Sequence, residues 1–386
     1  MLASTHSTDG SCASRVDAET MSLATLLLVP ILSASLASSS GSPTQETEGK
    51  RLYRAACAAC HGLDGRGQPR ATVGFDTPLP DFTDCAFATP EPDADWMAIV
   101  HQGGPVRAFD RRMPAFGMAL TDEQILETIA YVRGFCRDRA WPPGELNLPR
   151  ALVTEKAFPE NETVLSTVAG GGNAAVFQNE VVYEQRIGSR AQFEVAVPVA
   201  IQKDATGAWQ RGLGDAAVAF KHVLFHSRAA GRIVSAAAEL VLPTGKQTQG
   251  LGNGTTVFEP FIAIGQVLPS DGFIQFQSGF ELPWNRARAE REAFWRTAIG
   301  RSFFEHRFGR SWTPMVEILG SKAFDSRERA AWDVVPQLQV TVSRRQHIMI
   351  NAGVRVPITS RDERPVQVLT YFLWDWFDGG LFDGWR

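Results

Sequence analysis

Cys57-Ala58-Ala59-Cys60-His61 places two thiols and an imidazole at the spacing that attaches a c-type haem. The thiols add to the vinyl groups as thioethers, and the adjacent imidazole becomes the proximal iron ligand. A zinc half-site needs further Cys or His ligands nearby, and a thioredoxin-like CxxC needs a preceding strand. The flanking sequence supplies neither.

Upstream, Glu48 to Ala56 reads as a helix entering the motif, with Leu52 and Tyr53 set to pack on the macrocycle. Downstream, Gly62-Leu63-Asp64-Gly65-Arg66-Gly67 is a small-residue loop whose backbone can approach closely. Further on, Arg112-Met113-Pro114 precedes a helix start at which Thr121 is the N-cap and Gln124 completes a capping box. Met113 is thereby expected in an extended loop just before a helix.

Residues from about 45 to 140 resemble a class I monohaem cytochrome c. The resemblance implies that a helix carries CxxCH, that a later Met-Pro loop supplies the distal thioether, and that an aliphatic last helix packs across the first. Ile125, Ile129, Tyr131 and Val132 suit that last helix. Cys57 and Cys60 would then anchor one haem c, with His61 proximal and Met113 distal. Two other residues compete for the sixth position. Met118 lacks the following proline and reads instead as a packing residue. His101 would give a bis-histidine haem of lower potential, and its other reading is a satisfied helix-end residue near the propionates. Two axial ligands leave no open position on the iron, which points to outer-sphere electron transfer and to a carrier rather than an enzyme. The sequence has no nucleophile elbow, P-loop or HExxH.

Residues 1–37 read as a signal peptide. Leu23 to Leu32 forms the apolar run and Ser35-Leu36-Ala37 the cleavage region; a weakly charged start makes Met21 a candidate initiator. Export fits the haem. With Cys12 in the leader and Cys57 and Cys60 on haem, Cys85 and Cys136 remain. In an oxidising compartment they are a disulfide candidate, the alternative being two buried free thiols.

Trp141-Pro142-Pro143-Gly144 cannot continue a helix and opens a Pro-rich linker expected over 141–161. From 162 to 377 the apolar period changes to two. Ile348, Ile350, Ala352, Val354 and Val356 alternate with His347, Met349, Asn351, Gly353 and Arg355. Ile274, Phe276, Ser278, Phe280 and Leu282 alternate with Gln275, Gln277, Gly279 and Glu281. About twelve such segments, long for a soluble sandwich, predict an antiparallel outer-membrane β-barrel. The fold class is thus multidomain, a small all-α cytochrome domain followed by a barrel of about 12 strands. Trp284, Phe294, Trp295, Trp312, Trp374 and Trp376 are placed for interfacial girdles or for the core.

Gly212-Leu213-Gly214-Asp215, Leu242-Pro243-Thr244-Gly245 and Gly250-Leu251-Gly252-Asn253-Gly254 resemble turn motifs of transporter-like, phenol-degradation MetA-like outer-membrane barrels. The joined architecture is similar to cytochrome-porin fusions. It implies a periplasmic redox protein and outer-membrane lipid as partners, with a possible extracellular electron donor or acceptor. The alternatives are a transport barrel with a redox-sensing cytochrome domain, and a soluble periplasmic cytochrome with a β-rich docking domain. A net charge of −4 over 386 residues gives no case for nucleic acid. Arg107, Arg111 and Arg112, beside the distal segment, read either as a patch that steers an acidic partner or, equally, as an ordinary solvated surface.

Overall fold

The computed structural model describes residues 46–171, 176–203, 207–324, 329–361 and 364–376. The expected leader and Cys12 lie outside them, as does the chain beyond residue 376. Among the described residues no helix is long and apolar enough to cross a membrane.

The alternating region folds as strands β1 (Glu162–Gly170), β2 (Val176–Ile187) and β3 (Ala191–Lys203), then β4, made of Trp209–Leu213 and Ala217–Ser227. It continues with β5 (Arg232–Val241), β6 (Val257–Leu268), β7 (Gly272–Pro283), and β8, made of Glu292–Arg301 and Phe303–Phe304. Last come β9 (Ser311–Ala323), β10 (Ala331–Thr341), β11 (Ile348–Pro357) and β12 (Gln367–Asp375). Every neighbouring pair is antiparallel, and β1 pairs with β12 from Glu162 opposite Asp375 to Gly170 opposite Gln367. Twelve strands therefore close into a barrel with no free edge, which excludes the sandwich.

Period two sorts the side chains onto two faces. On β9, Trp312, Pro314, Val316 and Ile318 are exposed outward, while Thr313, Met315, Glu317 and Leu319 are buried inside. On β10, Leu338 and Val340 face out, and Asp333, Gln337 and Gln339 face in. An apolar outside around a polar inside on a closed barrel is the outer-membrane arrangement, because every backbone polar group is paired within the sheet. Trp284 and Trp312 are exposed, whereas Phe294 is buried under the Arg296 guanidinium, so it belongs to the interior and not to a girdle.

Residues 141–161, expected as a linker, do more than join two domains. From Asn147 the chain runs inside the barrel from the end where β1 begins. Glu317 caps its tip: its carboxylate accepts from the amides of Leu152 (3.1 Å), Val153 (3.1 Å) and Thr154 (2.6 Å) and from the Thr154 hydroxyl (2.6 Å). Gln277 accepts from the Glu155 amide, Gln275 donates to the Pro149 carbonyl, and Lys221 donates to the Lys156 carbonyl. Arg150 is buried against Glu162 (2.7 Å) and Glu184 (2.5 Å), and Lys156 against Glu160 and Glu162. Phe158, Leu146 and Ala157 pack on Val223, Ile233 and Ala263 of the wall. The segment plugs the lumen.

The helical domain stands on the same end. Its first helix runs Glu48–Leu52, passes through a π-helical segment Tyr53–Cys57 and ends as Ala58–His61; its last is Asp122–Arg133. The capping box expected at Thr121 and Gln124 is present. The two helices cross where Gly49 meets the backbone of Glu127, and a Cβ at Gly49 would run into that carbonyl. Gly49→Ala is accordingly expected to cost the domain about 1–3 kcal/mol, the usual price of overpacking. Urea unfolding of the full-length protein in detergent, followed by the helical circular dichroism signal, measures it; an unmoved midpoint would contradict the crossing.

Candidate haem site and its support on the barrel

The π-helical segment brings Cys57 and Cys60, both free thiols, to the end of the first helix. His61 ends that helix, and Gly62 leaves it at φ 75°. The loop folds back over the motif, with the Gly67 amide donating to the His61 carbonyl (2.9 Å) and the Gln68 amide to the Cys60 carbonyl (2.7 Å). Gly65, at φ 78°, lies against the Phe135 ring, where a Cβ would collide. Tyr53 is fully buried between Tyr131 and Phe135 and donates its hydroxyl to the Gly62 carbonyl at 2.6 Å. It packs on the last helix and fixes the backbone after the histidine.

The donor set fits a c-type haem. Burial lowers the pKa of His61, which keeps the imidazole neutral, the form that ligates iron. Its Nδ1 is a buried nitrogen with no hydrogen-bond partner. Burial raises the Cys57 thiol to about 11, which keeps it protonated. The His61 ring stacks on Phe82 at 4.9 Å, and Phe82 leans on Trp96 at 5.5 Å.

Met113 is half-buried in a loop laid along the end of the helix Asp93–Gln102. The Met113 amide donates to Asp110, the Gly104 amide to Met113, and the Phe116 and Gly117 amides to Val100 and His101. Met118, expected as a packing residue, is instead fully exposed, because the turn before Thr121 aims it at solvent. His101 sits at a helix end, and its ring lies 5.1 Å from Phe308 of the barrel. Cys85 and Cys136 are joined in a disulfide, Cα atoms 5.1 Å apart, tying the loop after the haem motif to the end of the last helix.

Sequence reading missed the docking of this domain. Arg107, expected on the surface, is buried: it pairs with Asp95 (2.7 Å) and donates to the Phe308 carbonyl (2.8 Å). The other two arginines, Arg111 and Arg112, are exposed, and Arg112 pairs with Asp110 at 2.9 Å. Arg228 reaches Asp93 and Glu145, Arg307 reaches Asp122, and His347 lies between Glu91 and Asp375. The barrel partners come from the links β4–β5, β8–β9 and β10–β11, all at one end. At the opposite end the three loop motifs meet on Asp215, whose carboxylate accepts from the amides of Gly245 (2.9 Å) and Asn253 (2.6 Å).

Residues 44–132 match the family model of cbb3-type cytochrome c oxidase subunit III. None of the curated proteins matches the chain. Among solved structures, an outer membrane channel from Pseudomonas putida F1 superposes with a TM-score of 0.42 at 8% identity, covering 59% of this chain and 100% of the channel. The KdgM porin in complex with disordered oligogalacturonate gives 0.38 at 8% identity, over 56% of this chain and 99% of the porin. The NanC porin gives 0.39 at 7% identity, over 55% and 99%. The family match thus covers the helical domain, and a closed twelve-stranded antiparallel barrel with an apolar outside follows it.

Proposed function

We propose that the protein is an electron carrier fixed to the outer membrane, passing electrons between a soluble periplasmic redox protein and a partner in or beyond that membrane. Cys57 and Cys60 would hold one haem c, with His61 and Met113 as axial ligands. The haem supplies one-electron redox chemistry. The chain's own residues set its frame: Tyr53 and the Gly62–Gly67 loop fix the backbone around His61, and the Gly104–Asp110 contacts fix Met113. The Cys85–Cys136 bridge ties down the chain between them.

The observation that carries this reading is the plug. With Arg150, Thr154, Lys156 and Phe158 buried in the lumen, the barrel serves as anchor and platform before it is a pore. Orientation follows from loop lengths. The links on the haem side are mostly short, as between Ile187 and Ala191 or Leu268 and Gly272, and those opposite are longer, as between Val241 and Val257. Short turns are periplasmic in such barrels. A second reading, transport gated by the redox domain, draws on the fact that the plug is the haem domain's own continuation.

An in-gel haem stain of fractionated membranes, with and without boiling in detergent, tests the proposal. Haem in a heat-modifiable outer-membrane band is the expected result. Haem confined to the soluble periplasm would overturn it.

A further inference from the structure

His347 precedes β11 and is buried where the two domains meet. Its Nδ1 lies 2.9 Å from Asp375 Oδ1, at the end of β12, and its Nε2 lies 3.0 Å from Glu91 Oε1, on the haem domain. A neutral imidazole has one N–H; only the imidazolium donates from both nitrogens at once. Each ring nitrogen thus faces a carboxylate oxygen at ion-pair distance, an arrangement that favours the imidazolium.

We propose that Glu91, His347 and Asp375 form a proton-dependent latch that holds the haem domain on the barrel mouth and releases it when the imidazolium loses its proton. The surrounding charges are otherwise matched. From the haem domain, Asp95 is held by Arg107 and by Gln346. From β1, Glu162 is held by Arg150 and Lys156 of the plug. On the latch's own turn, the Arg345 guanidinium lies over the Phe109 ring at 4.4 Å. His347 is thus the cation that Glu91 and Asp375 share.

Burial opposes the charge on His347, but Asp375 and Glu91 outweigh it and raise its pKa well above the ordinary imidazole value. Burial and Glu91 raise Asp95 to about 6 against the pull of Arg107. Both values lie above those of the unfolded chain. Their contributions are therefore complete in acid and are lost as pH rises, through about 6 for Asp95 and at higher pH for His347. Docking is firmest in mild acid and loosens toward alkali.

Hydrogen–deuterium exchange of the full-length protein in detergent reads the latch on peptides spanning 89–96 and 343–349, after correction for the intrinsic pH dependence of exchange. Protection is expected to fall above neutrality with a one-proton slope, up to about tenfold per pH unit, while the helix over 48–61 stays unchanged. His347→Gln, neutral at every pH, is expected to lose the step above neutrality and to keep only the Asp95 step near 6. Wild-type protection that is flat from mild acid to alkali overturns the proposal, as does a wild-type slope in His347→Gln. Should that variant fail to fold, Glu91→Gln takes its place and is expected to move the midpoint to lower pH; an unmoved midpoint overturns the latch. The readout needs no electron transfer, so its failure leaves the function proposed above standing.

Discussion

Met113→Ala converts the oxidised protein from a low-spin, six-coordinate spectrum to a high-spin one. It also lowers the reduction potential by a sizeable share of the roughly 0.8 V that axial ligation spans. The size follows from the lack of a substitute. Met118 points into solvent, and His101 is committed at its helix end to Phe308 and to the Gln102 side chain. Absorption and magnetic circular dichroism spectra, with a potentiometric titration, measure both effects. An unchanged low-spin spectrum would remove Met113 from the site, and His101→Ala serves as the control expected to leave the spectrum alone.

Glu317→Ala unseats the plug. Its carboxylate accepts from three consecutive backbone amides and one hydroxyl, and also from the Gln337 side chain at 2.6 Å. Removing it strands buried donors at roughly 1–3 kcal/mol each, and water entering the lumen is the cheapest way to satisfy them. In planar bilayers the wild-type protein is expected to stay closed or nearly so, and the variant to show frequent ion-conducting openings. Equal conductance would mean that the plug is not the barrier. Retained heat-modifiability of the variant would show that the barrel itself survives.

The strands were legible because lipid and lumen impose opposite chemistry on successive residues. That two-face demand writes period two directly into stretches such as Trp312 to Leu319. The haem motif was legible because its chemistry requires contiguous residues. The plug was not, since Arg150, Lys156 and Glu160 look like solvated linker charges until Glu162, Glu184 and Lys221 are seen around them. One local signal was available: Leu148, Ala151, Ala157 and Phe158 are more apolar than a spacer needs to be. Arg107 misled for a related reason. An arginine beside a haem loop reads as surface charge, and what buries it is a carbonyl some two hundred positions away, at Phe308.

Arg150 also bears on how the molecule is assembled. Its guanidinium contacts Glu162 of β1 and Glu184 of β2, while its carbonyl accepts from Tyr371 of β12 (2.7 Å) and Asn351 of β11 (3.5 Å). One residue of the inserted segment thus straddles the seam where the first and last strands must find each other. Bringing together ends some two hundred residues apart is entropically the hardest event in folding such a cylinder, and here the segment lying just ahead of β1 acts as a template for it. The segment precedes every strand in the chain, so the piece around which the wall closes is made before the wall. The two halves are in that sense one inheritance, and neither can be exchanged for a foreign counterpart without also supplying a new way to zip the seam.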